Sequence, residues 1–290
     1  MSEDVKGGLS WLPLKIHSSM ANTVEHIDRN IEANLSREYI PFNSYLSSKS
    51  GAVAVVGSGP SLKDNWHRLK NFKGEILACN ASCQFLLEKG ITPDYMMCFD
   101  ADPLMLEFVT NPSKEVTYLL ASRCPTKAFE MLEGYKVVMW HADGDEHIHE
   151  ILTEKKRMEP LITGGGAAIT RALHMVHAMG FKEHHLYGAD SSFRGADTHI
   201  RKSTTVERRM PLMVNNRAFE CAPWMAQQAE DFKILAPSLM NHHGVDLHVH
   251  GDGLIPHIAM TIGCKTDLEP RVKHFVREWK LKTRALWKHL

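Results

Sequence analysis

No stretch of the 290-residue chain approaches the roughly 18 consecutive apolar residues that a membrane-crossing helix needs. Nor does either sign of charge prevail, since 34 Lys and Arg face 34 Asp and Glu. A balanced chain has no long-range field toward nucleic acid, so any basic surface has to be local. The start, MSEDVKGGLSW, lacks the apolar core of a signal peptide, and a soluble, cytoplasmic protein is the expectation. The six cysteines (Cys79, Cys83, Cys98, Cys124, Cys221, Cys264) form no CxxC pair and no regular framework. That argues against a zinc ribbon or a disulfide scaffold, and buried thiols in a reducing compartment are expected instead. Internal repeats and low-complexity tracts are missing too.

What the chain does have is alternation. Short apolar runs, VAVVG, EILACN, YMMCFD, VTYLLAS, YKVVMWH and HHLYGAD, are separated by helix-length amphipathic segments. This predicts an α/β fold: a Rossmann-like, mostly parallel sheet with helices on both faces. Three parts are expected, namely an N-terminal helical extension (1–50), a nucleotide-binding core (51–262) and a C-terminal basic amphipathic helix (263–290). Within the core, a polar, basic stretch, FRGADTHIRKSTTVERRM, reads as a long loop. After it come a helix, APWMAQQAEDFKILAPSLMNHHG, open to a bend at Pro237, and a strand VDLHVHG.

The first strand runs into GSGPSL, a glycine turn before a helix, which suits a phosphate. The third glycine of a nicotinamide fingerprint is missing, because Leu62 stands in its place, and the GK[ST] ending of a Walker loop is missing as well. Gly57, Ser58, Gly59, Pro60 and Ser61 are therefore candidate phosphate contacts, with an ordinary tight turn as the alternative. Asn80 ends the next strand, where an amide can read a base or ribose, or else cap the following helix. Asp100 and Asp102 end the third; they could hold Mg²⁺ or ribose hydroxyls, while Asp102 also suits a helix cap before Pro103. Gly164, Gly165 and Gly166 open a second glycine-rich helix start, closing at Gly180, and two such starts suit a polyanion. Asp190 ends a later strand and Thr198 and His199 follow in the polar loop, where a histidine can serve as acid or base or remain a solvated side chain.

Taken in order, GSGPSL, CNAS, GITPDY…D, GGGAAITRAL and GADSSFRGADTH resemble the 6-hydroxymethylpterin diphosphokinase MptE-like family. The same core is that of the flagellar motility accessory factors (Maf), and the first two elements are similar to those of small bacterial sialyltransferases. The resemblance spans about Gly51 to Ile258 and implies a nucleotide held at the strand ends. By likeness to the sialyltransferases, Gly57, Gly59, Pro60, Ser61 and Asn80 would hold a CMP donor. By likeness to the accessory factors, Asp190, Thr198 and His199 would lie at the site, although Ala189 replaces a Gln of that pattern. By likeness to the diphosphokinases, Asp100 and Asp102 would bind Mg-ATP.

Two transferase chemistries are thus expected on one scaffold. In glycosyl transfer from a nucleotide sugar to a hydroxyl acceptor, His199 would take the acceptor proton, with Asp190 and Asp100 beside it. Helix amides and Arg201, Lys202 or Arg208 would offset charge on the leaving phosphate. In diphosphate transfer, Mg²⁺ on Asp100 or Asp102 would do so. The histidine loop favours the first, which requires no metal. Three other readings stay open. His248 and His250 with Asp252 could form a hydrolase metal site. The core could bind a nucleotide without catalysis. The basic C-terminal helix, with Val272, Phe275, Val276, Trp279, Leu286 and Leu290 near helical spacing, could rest on an anionic membrane, on its own domain or on a sister subunit of a homo-oligomer.

Overall fold

The structure, a computed structural model, describes residues 22–200 and 208–268. Arg201, Lys202 and the amphipathic stretch from residue 269 onward lie outside the described residues.

The chain enters through α1 (Val24–Leu35), whose Thr23 side chain accepts from the His26 N–H at the N-cap. Ile27, Ile31 and Leu35 recur at helical spacing and bury a stripe against Met139, Ile148 and Ile151. On the same helix Asn34 Nδ2 donates to the carbonyls of Ser122 and Cys124 at 2.9 and 2.8 Å, so α1 pins the loop that follows a central strand. Ile40–Pro41 then forms β1, which pairs in parallel with the strand Lys136–Ala142. Residues 40–41 therefore belong to the sheet, and the described part of the segment before Ser50 is more than the helical extension expected from sequence.

The remaining elements follow as β2 (Ala52–Val56), α2 (Leu62–Asn65), β3 (Glu75–Cys79), α3 (Ser82–Glu88), β4 (Tyr95–Cys98), β5 (Thr117–Ala121), α4 (Thr126–Met131) and β6 (Lys136–Ala142). After them come α5 (Ile148–Glu154), β7 (Leu161–Ile162), α6 (Ala168–Met179), β8 (Glu183–Tyr187), β9 (Met210–Val214), β10 (Arg217–Cys221), α7 (Pro223–His243), β11 (Asp246–Val249), α8 (Leu254–Thr261) and β12 (Lys265–Thr266). The main sheet runs β1-β6-β5-β4-β3-β2-β8-β11-β12 with every neighbouring pair parallel, and β7 adds to β6. Parallel strands covered by helices need apolar side chains on both faces, which is why β2, β4 and β5 are almost wholly buried.

From β2 the chain steps outward to β6, then returns through α6 to β8, which lies against the other side of β2 with Val56 opposite Tyr187. The winding reverses between β2 and β8, and such a reversal opens a crevice at the carboxyl ends of the strands. α6 closes on Gly180 at φ 110°, as its sequence predicts.

Three features depart from expectation. The helix after GSGPSL is only the four-residue α2, continued as a 3-10 turn over Trp66–Asn71. The stretch read as loop leads at Met210 into an antiparallel β9–β10 hairpin, which stands between it and α7. β12 pairs with β11, so the sheet extends past residue 262. Pro237 lies inside the single helix α7. All six cysteines are buried and unbridged.

Candidate functional site

A cavity of about 580 Å³ opens at the carboxyl ends of β2, β3, β4 and β8. Gly57, Ser58 and Gly59 form one wall, but the reason for their type is partly internal. The Gly57 N–H donates to Tyr187 O at 2.8 Å and the Gly59 N–H to Gly188 O at 2.7 Å. A Cβ on either glycine would lie 2.6 Å from Gly188 O. The two turns after β2 and β8 are pressed backbone to backbone, and only glycine permits that.

Pro60 and Ser61 are not where the sequence expectation put them. Both are buried, and neither lines this cavity. The backbone N–H and hydroxyl of Ser61 donate to Asp190 Oδ2 at 3.1 and 3.0 Å. The orphan amide at the start of α2 thus has its anion within the protein, and four residues make too little helix for a dipole. Burial pushes the Asp190 carboxyl up to about 6, with the Ser61 bonds pulling the other way. Asp190 lines the cavity while anchoring the turn. Ser58 Oγ donates to Cys79 O at 3.2 Å, and Ser58 O accepts the Ile200 N–H at 2.8 Å, which fastens the His199 loop to the turn.

Asn80 projects at the end of β3 from a left-handed backbone, φ 51°, held by its N–H to Met97 O at 3.0 Å. Its Oδ1 is buried, and among the described residues nothing donates to it. The helix-cap alternative is not realised, because the N-cap of α3 is Ala81, which makes no side-chain cap. A buried, idle acceptor on a strained residue at a cavity wall is a recognition element waiting for a donor.

Asp100 and Asp102 both line the cavity. Desolvation raises the Asp100 pKa, Arg123 opposes it and Asp102 adds to it. Asp102 Oδ1 accepts the Leu104 N–H at 2.8 Å, so Asp102 does cap the turn opened by Pro103. The opposite wall is the N-terminus of the twelve-residue α6, whose N-cap Ala167 offers no side-chain acceptor. Gly166 lines the cavity, whereas Gly164 and Gly165 do not. Gly164 packs on the Arg171 backbone and Gly165 on the Asp231 carboxylate.

His199 and the buried Thr198 complete the site. The His199 ring lies on Trp224 with centroids 5.7 Å apart and planes 9° from parallel, and its Nδ1 is 2.9 Å from Thr198 Oγ1. Arg208 is exposed and does not line the cavity.

Several residues here carried no usable sequence signal. Trp224 and Gln228 arrive from α7, and Gln228 Oε1 accepts the Ser191 hydroxyl at 2.5 Å. Arg123 and Arg171 place their guanidinium groups 4.6 and 4.5 Å from the Phe99 ring, behind Asp100. Arg123 is paired with the buried Asp145 at 2.6 Å.

The hydrolase set of His248, His250 and Asp252 does not assemble. Asp252 is bound to Arg217 and, at 3.2 Å, to His257, in a second cavity of about 600 Å³ across the turn. His248 and His250 sit on or just after β11 beside His185. Among the described residues no helix is long and apolar enough to cross a membrane.

The model of the family described as 6-hydroxymethylpterin diphosphokinase MptE-like matches residues 25–196. Among solved structures, the Maf glycosyltransferase from Magnetospirillum magneticum AMB-1 is similar at 16% identity and TM-score 0.61, over 81% of this chain and 38% of that one. This chain therefore spans less than two fifths of that enzyme's length, and the likeness is one of fold. A mammalian sialyltransferase matches at 13% identity and TM-score 0.39, over 80% of each chain. No curated protein matches by sequence.

Proposed function

From the premise that the chain belongs to the 6-hydroxymethylpterin diphosphokinase MptE-like family, we propose that it is a nucleotide-dependent transferase moving a glycosyl group from a nucleotide sugar to a hydroxyl acceptor. One convergence supports this reading. The cavity brings together an idle buried amide oxygen on Asn80, the uncapped start of α6 and a histidine seated on an indole.

In this proposal Asn80 Oδ1 accepts from the base or ribose, and the Gly57–Gly59 backbone lets the nucleotide approach closely. The α6 N-terminus faces the phosphate. His199, seated on Trp224 beside Thr198, takes the proton of the acceptor hydroxyl. The acceptor oxygen then bonds to the anomeric carbon, and the bond from that carbon to the phosphate oxygen breaks, its electron pair leaving with the nucleotide. The charge that develops on the phosphate is met by the helix amides. A CMP-type donor is the form tested first.

A diphosphate transfer is the second reading, favoured by Asp100 and Asp102 on the same wall. They suit Mg²⁺, which binds through one or two carboxylates plus phosphates and would offset phosphate charge there. The two are separated by product analysis. Incubation with CMP-, UDP- and GDP-sugars and a panel of hydroxyl acceptors should release nucleotide and add a sugar mass to an acceptor. Transfer from ATP alone, only with Mg²⁺, would replace the glycosyl reading by the other.

A further inference from the structure

On the face of the sheet near its β12 edge, titratable side chains line up across β8 and β11. His185 and His248 are direct partners in the parallel ladder. Glu183 and His250 follow the same face by alternation. The two partner rings stack with centroids 4.3 Å apart, and Glu183 Oε1 lies 2.8 Å from His185 Nε2. One ligating atom from each of Glu183, His185 and His248 lies within 4.8 Å of the others.

A hydrogen-bond chain runs behind His185. His250 Nδ1 is 3.2 Å from both oxygens of Asp267, and His250 Nε2 is 3.1 Å from His185 Nδ1. Arg68 Nη1 is 3.3 Å from His250 Nδ1 but is engaged by Asp267 at 2.7 Å. With Asp267 accepting from His250 Nδ1–H, His250 Nε2 accepts from His185 Nδ1–H. In that tautomer the remaining His185 lone pair, on Nε2, faces the Glu183 carboxylate at 2.8 Å, an arrangement of two acceptors that a bound cation would satisfy. Ligating histidines in metalloproteins are oriented in this way by the partner of their second ring nitrogen.

We propose that Glu183, His185 and His248 bind a divalent transition-metal ion of the zinc class, clasping β8 to β11. Two imidazoles and a carboxylate suit that borderline ion, at ligand distances of about 2.0–2.2 Å. Because the two rings are stacked, one of them has to turn out of the stack before both nitrogens face the ion at those distances. Glu183, 48% exposed, has room to swing. One cation competes: Lys265 Nζ is 3.4 Å from His248 Nε2, although Asp246 holds it at 2.6 Å. Glu183 opens β8 and the transferase cavity begins after its other end, about 13 Å along the strand, so the metal acts on the sheet and not in group transfer.

The full chain, stripped with a chelator, is titrated with ZnCl₂ by calorimetry and with CoCl₂ by visible absorption. One equivalent should bind, raise the melting temperature and, with cobalt, give d–d bands. His185→Gln with His248→Gln should lose that equivalent and the bands while keeping the wild-type circular dichroism. Glu183→Gln should weaken binding at least tenfold, and Lys265→Met should tighten it severalfold. Equal zinc stoichiometry in wild type and double variant would overturn the site, as would no zinc binding by the wild type. Should the double variant fail to fold, unchanged affinity in both Glu183→Gln and Lys265→Met would overturn it equally.

Discussion

Gly59 stands directly against the carboxylate of Asp190, with no room between them for even a methyl group. Asp190 in turn holds Ser61 through two hydrogen bonds, and Gly188 O accepts the Gly59 N–H. The turn after β2 and the turn after β8 are therefore one device. Gly59→Ala should force them apart, costing about 1–3 kcal/mol as overpacking does. Urea denaturation measures the loss, and nucleotide affinity should fall with it. A variant with wild-type stability would show that the contact is slack.

Asp190 makes the fold sensitive to pH in a definite direction. Its native pKa of about 6 lies above the ordinary carboxyl value of 3.8, so the protonated, native-favouring form contributes fully below about 4. That contribution is lost as pH rises through about 6. Asp190→Asn stays neutral throughout. Relative to wild type, its stability should rise between pH 4 and pH 7, by up to about 3 kcal/mol. Parallel stability–pH curves for the two proteins would contradict the burial argument.

Asn80 should matter to ligand and little to fold, because its Oδ1 has no donor within the described protein. Asn80→Gly keeps the left-handed backbone and removes only the amide. Nucleotide affinity should drop about tenfold or more, the worth of one good hydrogen bond to a buried acceptor, with stability changed by less than about 1 kcal/mol. Full affinity in calorimetry would remove Asn80 from the recognition set.

Much of this arrangement was legible in the sequence, and the illegible parts share a physical character. The strands β2 to β6 were readable because parallel strands buried on both faces must be largely apolar, whereas β8, EHHLY, offered only its apolar end. The end of α6 was readable from Gly180. The β9–β10 hairpin also left a signal that went unread: Asn215-Asn216, at φ 50° and 60°, is the asparagine pair that a tight hairpin turn favours. The partnership of Ser61 with Asp190 had no local trace, since it joins residues 129 apart. Nor could local pattern show that Trp224 would meet His199, or that Arg123 and Arg171 would flank Phe99. Such contacts are made by the sheet's winding, which periodicity does not encode.

His199 lies in a loop, with its ring on Trp224 and its Nδ1 beside Thr198, so its removal should spare the fold. If it acts as the base, His199→Ala should lower the transfer rate about 100- to 10,000-fold while nucleotide binding persists. Single-turnover assays with measured nucleotide affinity separate the two. An unaltered rate would take the proton-transfer role from this residue.

Transfer from a nucleotide donor requires that the cavity at the strand ends take a nucleotide. The direct measurement is the melting temperature of the full chain with CMP, CDP, UDP, GDP and ATP, each with and without Mg²⁺, repeated in Asn80→Gly. A ligand that binds only the native state raises the melting point. A rise with CMP in the absence of metal, lost in the variant, is the expected result. No rise with any nucleotide, or a rise with Mg-ATP alone, would contradict it.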